Sequence, residues 1–536
     1  MTRRLARSAG LIGLATFSSR ILGLVRDLLF AIFFGAGAAM DAFYVAARVP
    51  SLLRDLFAEG AMSAAFVPTF TRYLTTQGKE AAWRLGSQVL NALILITGVL
   101  VVVGVVFTEP FLVLFAKGYA DDPQQLALTA TLTRITLPFL TLIAIAAAFM
   151  GMLNALRRFV APAISPAIYN VASIATLIVL YPLLVRWGYH PILSLAIGML
   201  VGGLVQILVQ VPSLHREGYR HVFVLDTRDR GLREVLVLMG PGTVGVAAAQ
   251  INLFVNTALA TYAETGAVTW LQWAFRLMYL PIGIFGVSVA TAAIPEVARQ
   301  AALGETGAMR KTLSMGFRLM LMLSVPATIG LIVLSEPIMA LLFQWGAVTA
   351  TDTVMSASAL ALYAPGLVGY SLVKLASPSF YALRDARTPV TVSVISIVVN
   401  LVLNLWLFQL MGFRGLALGT GIAATVNALL LLVLLSRRIG GIDAARVLTA
   451  FLKICVASAV MGAAVWAVDS WLAARLPDAL LLPGTSGVAV ARGVRVFGAI
   501  GAGSGVLALM AHLLRIEEFR TAMQRVVRRL RPAPPK

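Results

Sequence analysis

The chain has 536 residues, 59% of them hydrophobic and 12% charged, a mean hydropathy of +0.89 and a formal net charge of +20. A soluble globular domain needs more polar surface than this. A nucleic-acid binder is also excluded, because the basic residues lie in short segments between apolar runs instead of forming stripes with exposed aromatics. The one cysteine, Cys455, sits in an apolar run, which rules out an internal disulfide and a cysteine-type zinc site.

Apolar runs long enough to cross a bilayer as helices recur along the chain. The first, 8–34, follows a basic start that resembles a signal peptide, but the run continues through Phe34 and holds Arg20 and Arg26, so it reads as a retained span. Further spans are expected at 41–72, 85–108, 124–150, 160–185, 191–214, 233–262, 267–298, 312–334, 352–381, 388–410, 415–436, 447–468 and 493–514, fourteen in all. The expected fold class is therefore an all-α polytopic membrane protein. With the N-terminus in the cytoplasm, 28 of the 43 Lys and Arg residues fall on the cytoplasmic side and six on the other. That bias places both termini inside. Of the nine cations left within spans, Arg318, Lys453 and Arg134 lie close enough to span ends to snorkel.

A shift of 227 residues brings several features into register. Val67-Pro68 falls on Ile294-Pro295, Glu109-Pro110 on Glu336-Pro337, and Ala155-Leu156-Arg157 with Pro162 on Ala382-Leu383-Arg384 with Pro389. Leu195-Ala196-Ile197-Gly198 then matches Leu416-Ala417-Leu418-Gly419 at 221. Prolines at helix ends and a conserved order point to a duplicated six-helix unit. Six is even, so both copies share one orientation, related by a pseudo-two-fold axis along the membrane normal. The expected organisation is a six-helix lobe over 1–220, a second over 221–440, two added helices over 441–514 and a basic cytoplasmic tail over 515–536. The tail reads as a short helix on anionic headgroups or as a solvated segment.

The remaining charges are costly. Arg20 lies near the middle of the first span, with Arg26 and Asp27 further along; the second span carries Asp41, Arg48, Arg54, Asp55 and Glu59; Arg276 lies about 13 Å into the eighth. Each arginine at mid-bilayer costs roughly 3 kcal/mol, so they must face a wet cavity or one another. Arg20 and Asp27 are seven apart, as are Asp41, Arg48 and Asp55, and each set shares a helix face that allows ion pairs. Arg20 and Arg26 are six apart, so reaching one ligand requires a bend or unwinding, which Gly23 permits. Two readings stay open: a self-neutralising network that staples the first two spans, and an anion site. The five arginines exceed the four carboxylates by one, and the guanidinium fork suits phosphate oxygens.

Other motifs fail on context. Gly240-Pro241-Gly242-Thr243-Val244-Gly245 fits a dinucleotide fingerprint but follows no strand, and is expected to kink its span. Gly198/Gly202 and Gly501/Gly505 are expected to mark close helix packing. Asp385, at a span end, is expected to pair with Arg384 or Arg387. No pattern for metal binding, ATP hydrolysis or covalent catalysis is present, so no cofactor, catalytic residue or metal is expected and the chain reads as a transporter, not an enzyme.

Four motifs stand out: Phe17-Ser18-Ser19-Arg20-Ile21-Leu22-Gly23-Leu24-Val25-Arg26-Asp27, Phe34-Gly35-Ala36-Gly37, Asp41-Ala42-Phe43, and Leu52-Leu53-Arg54-Asp55-Leu56-Phe57-Ala58-Glu59-Gly60-Ala61. Together they closely resemble the MurJ (MviN) lipid II flippase family, within the MATE-like multidrug/oligosaccharidyl-lipid/polysaccharide exporter superfamily. Looser matches are Arg276-Leu277-Met278 with Pro281 and Gly283, and Tyr381-Ala382-Leu383-Arg384-Asp385 with Thr388-Pro389. The resemblance implies a MATE-like fold of two six-helix lobes plus two helices forming a groove for a polyprenyl tail. It implies movement of undecaprenyl-diphosphate-linked disaccharide-pentapeptide (lipid II) to the outer leaflet for peptidoglycan synthesis, by alternating access. The substrate-binding positions it implies are Arg20, Arg26, Arg54, Arg276 and Asp41. Asp27, Arg48, Asp55, Glu59 and Gly23 are expected in supporting ion pairs or gating. Asp55 departs from members with a second Arg there. Expected partners are lipid II and membrane lipids, with a monomer working near cell-wall synthesis proteins and no nucleic acid. The membrane potential or a Na⁺ or H⁺ gradient is the expected energy source. An exporter of another lipid-linked oligosaccharide or small amphiphile, and a non-transporting cell-wall scaffold, are the alternatives.

Overall fold

A computed structural model of the protein describes residues 2–54, 65–476 and 486–520. Among them the regular structure is helical, as expected where a bilayer requires each backbone polar group to be satisfied within its own segment. The helices of the first half are α1 (Thr2–Phe34), α2 (Ala38–Arg54), α3 (Val67–Thr76), α4 (Gly78–Val106), α5 (Thr108–Phe115), α6 (Pro123–Thr136), α7 (Phe139–Ala155), α8 (Val160–Arg186), α9 (Leu193–Arg216) and α10 (Arg230–Ala260). Then come α11 (Ala267–Pro281), a π turn at Ile282–Gly286, α12 (Val287–Ala302), α13 (Thr306–Val333), α14 (Ser335–Phe343), α15 (Ala350–Tyr363), α16 (Gly366–Ala382), α17 (Arg387–Met411), α18 (Phe413–Ile439), α19 (Ala444–Arg475) and α20 (Ser486–Leu513).

Ten of these segments are long and apolar enough to cross a membrane: α4, α6 with α7, α8, α9, α11 with α12, α13, α17, α18, α19 and α20. The pair α15 and α16, bent by 45°, makes an eleventh. The other three expected spans coincide with α1, with α2 and α3, and with α10.

Contacts divide the chain into two compact units, residues 1–269 and 270–536. Within the first, α10 packs on α2, α3 and α4. This is a division by packing, whereas the one expected at 220, 440 and 514 is by duplication. The first unit's core is built on Phe66, Phe70, Leu85, Leu93, Phe139 and Met152, the second's on Phe317, Met320, Leu375, Phe380, Leu431 and Ile454.

The repeat is written into the backbone. Helix α4 ends on Phe107 at φ −96°, ψ 18°, and α13 ends on Leu334, 227 residues on, at φ −98°, ψ 17°. Pro138 and Pro365 cap α7 and α16 at the same shift. Arg157 and Arg384 close those helices in the left-handed region, at φ 59° and 58°. In both copies the next residue's N–H reaches back to a carbonyl five positions earlier, Arg158 to Leu153 and Asp385 to Phe380, which satisfies the last helical carbonyls. One match is looser than expected: Pro68 starts α3, but Pro295 lies inside α12.

Small residues set the helix spacing unevenly. A Cβ on Gly202 would lie 2.7 Å from the Tyr169 ring, and one on Gly198 3.2 Å from the Ser173 carbonyl, so the first GxxxG pair does hold α8 close to α9. The second does not act this way: Gly501 and Gly505 face open space, and Gly503 is the residue pressed against Val465. Helix α10 runs unbroken through 240–245, so its glycines form no phosphate-cradling loop. Past α20, residues 517–520 are helical; the remainder of the expected tail lies outside the described residues.

Candidate functional site

The site begins on α1. Arg26 turns its guanidinium onto its neighbour Asp27, with Nε and Nη2 3.0 and 2.8 Å from Oδ1. Asp27 is only 4% exposed. The rings of Phe30, one turn along α1, and Tyr169, on the packed face of α8, lie 5.5 and 5.7 Å from the guanidinium carbon. Cation and carboxylate thus sit in an aromatic bracket that keeps water away and strengthens their attraction. Asn170 donates to the Ser19 carbonyl at 3.1 Å and pins α8 to α1 beside this pair.

Two expectations about α1 need correction. The guanidinium on Asp27 is that of Arg26, not Arg20: an adjacent side chain can fold back along the helix and offer its fork, while Arg20 lies two turns away. Nor does Gly23 unwind the helix, which is continuous from Thr2 to Phe34 with Gly23 buried. Arg20 and Arg26 therefore keep azimuths about 120° apart. Among the described residues, Arg20 has no hydrogen-bond or ion-pair partner and is exposed.

Helix α2 supplies Asp41 and Arg48. Asp41 is 1% exposed; Oδ2 accepts from the Gly266 N–H at 2.6 Å, and Oδ1 from the Thr269 N–H and hydroxyl at 2.9 and 2.6 Å. It caps the start of α11, where orphan N–H groups and the helix dipole favour an anion. Burial first, and the Asp41 charge second, push the Tyr119 phenol well above its ordinary value. Arg48 donates from Nε to Thr257 of α10 at 3.0 Å. Arg54 ends α2, with its side chain outside the described residues, as are Asp55 and Glu59. Arg276 lies half-buried on α11 in the second unit, next to Phe275, whose ring packs on Tyr279, Tyr363 and Tyr370.

Sequence reasoning missed Tyr169, Thr257 and Thr269. They are ordinary residues on distant helices, and no local pattern distinguishes them from core. Two of the three cations expected to snorkel, Arg318 and Arg134, carry ion pairs. Arg318 pairs with Glu517 and Glu518 at 2.9 and 2.7 Å, and Arg134 with Glu109 at 2.8 Å. Asp385 likewise takes no arginine: it caps α17, accepting from the Thr388 N–H and hydroxyl at 3.1 and 2.7 Å, and these bonds hold its carboxyl below the usual range. A cleft of about 650 Å³ lies away from the Arg26–Asp27 pair, between Ser18 of α1, Val160 and Ile164 of α8 and a rim of Arg157, Arg158 and Arg216.

Residues 30–481 match the family model described as Lipid II flippase MurJ. A probable lipid II flippase MurJ of Vibrio cholerae is 34% identical over 504 residues, covering 92% of this chain and 95% of its own length. The lipid II flippase MurJ of Burkholderia cenocepacia is 36% identical over 427 residues, 79% and 82% of the two chains. Among solved structures, a lipid II flippase MurJ in an inward closed conformation superposes with a TM-score of 0.77 at 28% identity, covering 94% of this chain and 98% of that one. An inward-facing multidrug resistance MATE family transporter shares the fold, with a TM-score of 0.64 at 15% identity over 79% and 94%.

Proposed function

Because the chain belongs to the MurJ lipid II flippase family, we infer that it is itself a lipid II flippase, carrying the undecaprenyl-diphosphate-linked peptidoglycan precursor across the bacterial inner membrane. The observation that carries this reading is the similarity over nearly the whole chain to proteins of that name. Such a task needs no covalent chemistry, only an anion site that can be offered to either leaflet.

In our reading the diphosphate is held by Arg20, Arg26, Arg54 and Arg276, while the prenyl chain stays in lipid along the two helices after residue 440. Arg20 is exposed and supports first contact; Arg26 exchanges Asp27 for the ligand. Asp41 serves the site indirectly, by fixing the start of the helix that carries Arg276. Fourteen spans in two duplicated lobes, both termini in the cytoplasm, and a monomer beside cell-wall synthesis proteins complete the proposal. The lobes rock about the site, driven by the membrane potential or a Na⁺ or H⁺ gradient.

The test is lipid II exposure on the outer leaflet of cells that depend on this chain. Arg20→Ala should lower exposure at least tenfold at unchanged protein level and melting temperature. Full activity in Arg20→Ala, Arg26→Ala and Arg276→Ala alike would sink the site. Proteoliposomes with an imposed voltage or ion gradient separate the energy sources.

A further inference from the structure

The chain between α9 and α10 does not hang free in water. Tyr219 is buried under Trp83, ring centroids 5.2 Å apart, with its hydroxyl 3.3 Å from Ser87 Oγ. From there the chain runs extended along α4. Ser87 Oγ accepts from the Val222 N–H at 3.3 Å, and Asn91 Nδ2 donates to the carbonyls of Val222 and Val224, both at 2.9 Å. The Val224 N–H closes onto the Val222 carbonyl, also at 2.9 Å. The backbone of this stretch is turned inward and its apolar side chains outward: Phe223 is 91% exposed, Val222 49% and Leu225 42%. Asp226 then turns the chain by accepting from the Arg228 N–H, and Asp229 caps α10.

The level of this segment follows from α4. After Arg84, α4 carries no ionisable residue from Leu85 to Val106, about 33 Å of helix against a hydrocarbon core of roughly 30 Å. Asn91 lies six residues past Leu85, about 9 Å into that stretch. Its neighbours Ile94 and Leu95 are exposed, as on a lipid-facing side. Non-helical backbone is tolerated at such depth only when its polar groups are satisfied. Ser87 and Asn91 do this. Outside the apolar stretch, Arg220, Arg228, Arg230 and Arg233 are exposed at the level where phosphate headgroups lie.

We propose that Val222–Leu225 is a membrane anchor, a short extended wedge clamped to α4 that inserts at the acyl–headgroup boundary of an anionic leaflet, with the flanking arginines on lipid phosphates. The proposal needs α4 to cross the membrane and does not depend on what is transported. It is tested in the full chain carrying Cys455→Ser, with Phe223→Cys or Arg228→Cys bearing a nitroxide, in vesicles of phosphatidylethanolamine and phosphatidylglycerol. The ratio of oxygen to nickel-chelate accessibility should be several-fold higher at 223 than at 228. Equal ratios would place the segment in water and overturn the anchor. Adding Asn91→Ala should bring the ratio at 223 down to that at 228 while transport persists. An unchanged ratio in that variant would overturn the clamp.

Discussion

The duplicated halves begin with a matching pair of consecutive helices and fill them differently. In the first, α1 and α2 carry Arg20, Arg26, Asp27, Asp41 and Arg48; at the 227-residue shift, α10 and α11 carry Ala247, Leu253, Phe254, Val268 and Phe275. Phe254 stacks on Phe115, centroids 3.8 Å apart, so the position equivalent to the buried carboxylate of Asp27 is apolar packing. The joints, by contrast, agree to within a few degrees at Phe107 and Leu334 and at Arg157 and Arg384. The lesson is that two requirements act separately on one unit. Helix joints are fixed by backbone geometry and tolerate any side chain that leaves them intact; ionic side chains are kept only where another group or a ligand answers them.

The largest effect should come from breaking the α1 ion pair, which has no counterpart in the apolar copy. Arg26→Ala removes the adjacent guanidinium from the buried Asp27 carboxylate and should cost about 3 kcal/mol, read as a lowered melting temperature in detergent. Arg26→Ala with Asp27→Ala should recover most of that stability and still fail to transport. Asp41→Ala should come next, at about 3 kcal/mol for a buried carboxylate with three donors. If Asp41 were a substrate contact and not a cap, the melting temperature would stay put while transport fell.

Smaller changes test the joints. Arg157→Gly and Arg384→Gly relieve an exposed L-residue of its left-handed conformation and should each raise stability by roughly 1 kcal/mol. Unequal gains would show that the two turns are not equivalent. The smallest effect concerns charge at the same turn, where Arg158 in one copy occupies the position of Asp385 in the other. Arg158 binds Glu217 at 2.6 Å, whereas Asp385 caps α17. The folded Asp385 carboxyl lies below its ordinary value of 3.8, so its contribution is fully present above that pH and is lost as pH falls through the folded value. Thermal melts between neutral and strongly acidic pH should show a small acid-dependent loss that Asp385→Asn abolishes.

Much of this was legible in the sequence because it rests on periodic or punctuating residues. Apolar runs gave the helices, prolines and the Ala-Leu-Arg triplets gave the duplication, and the expense of arginine in lipid singled out α1 and α2. What could not be read was which charge answers which. Seven-residue spacing put Arg20 with Asp27 on one face, but the adjacent Arg26 is long enough to reach the carboxylate and does. The partner of Asp41 is the backbone of residues 266–269, and a backbone amide leaves no trace in composition. The role of Asn91 likewise depends on a linker more than 130 positions away in the chain.

The carboxylate beside Arg26 also bears on what the proposed diphosphate site would refuse. A bare guanidinium in a membrane protein would collect chloride or inorganic phosphate from the cell. Asp27 is tethered one residue away, so it competes as an intramolecular anion whose effective concentration is at least millimolar. A free monovalent ion gains little by displacing it. A diphosphate can offer more than one oxygen pair and can engage further arginines at once, so it pays for the exchange. On the site reading proposed above, the pair would act as a valence filter, its own anion just good enough to exclude the small competitors.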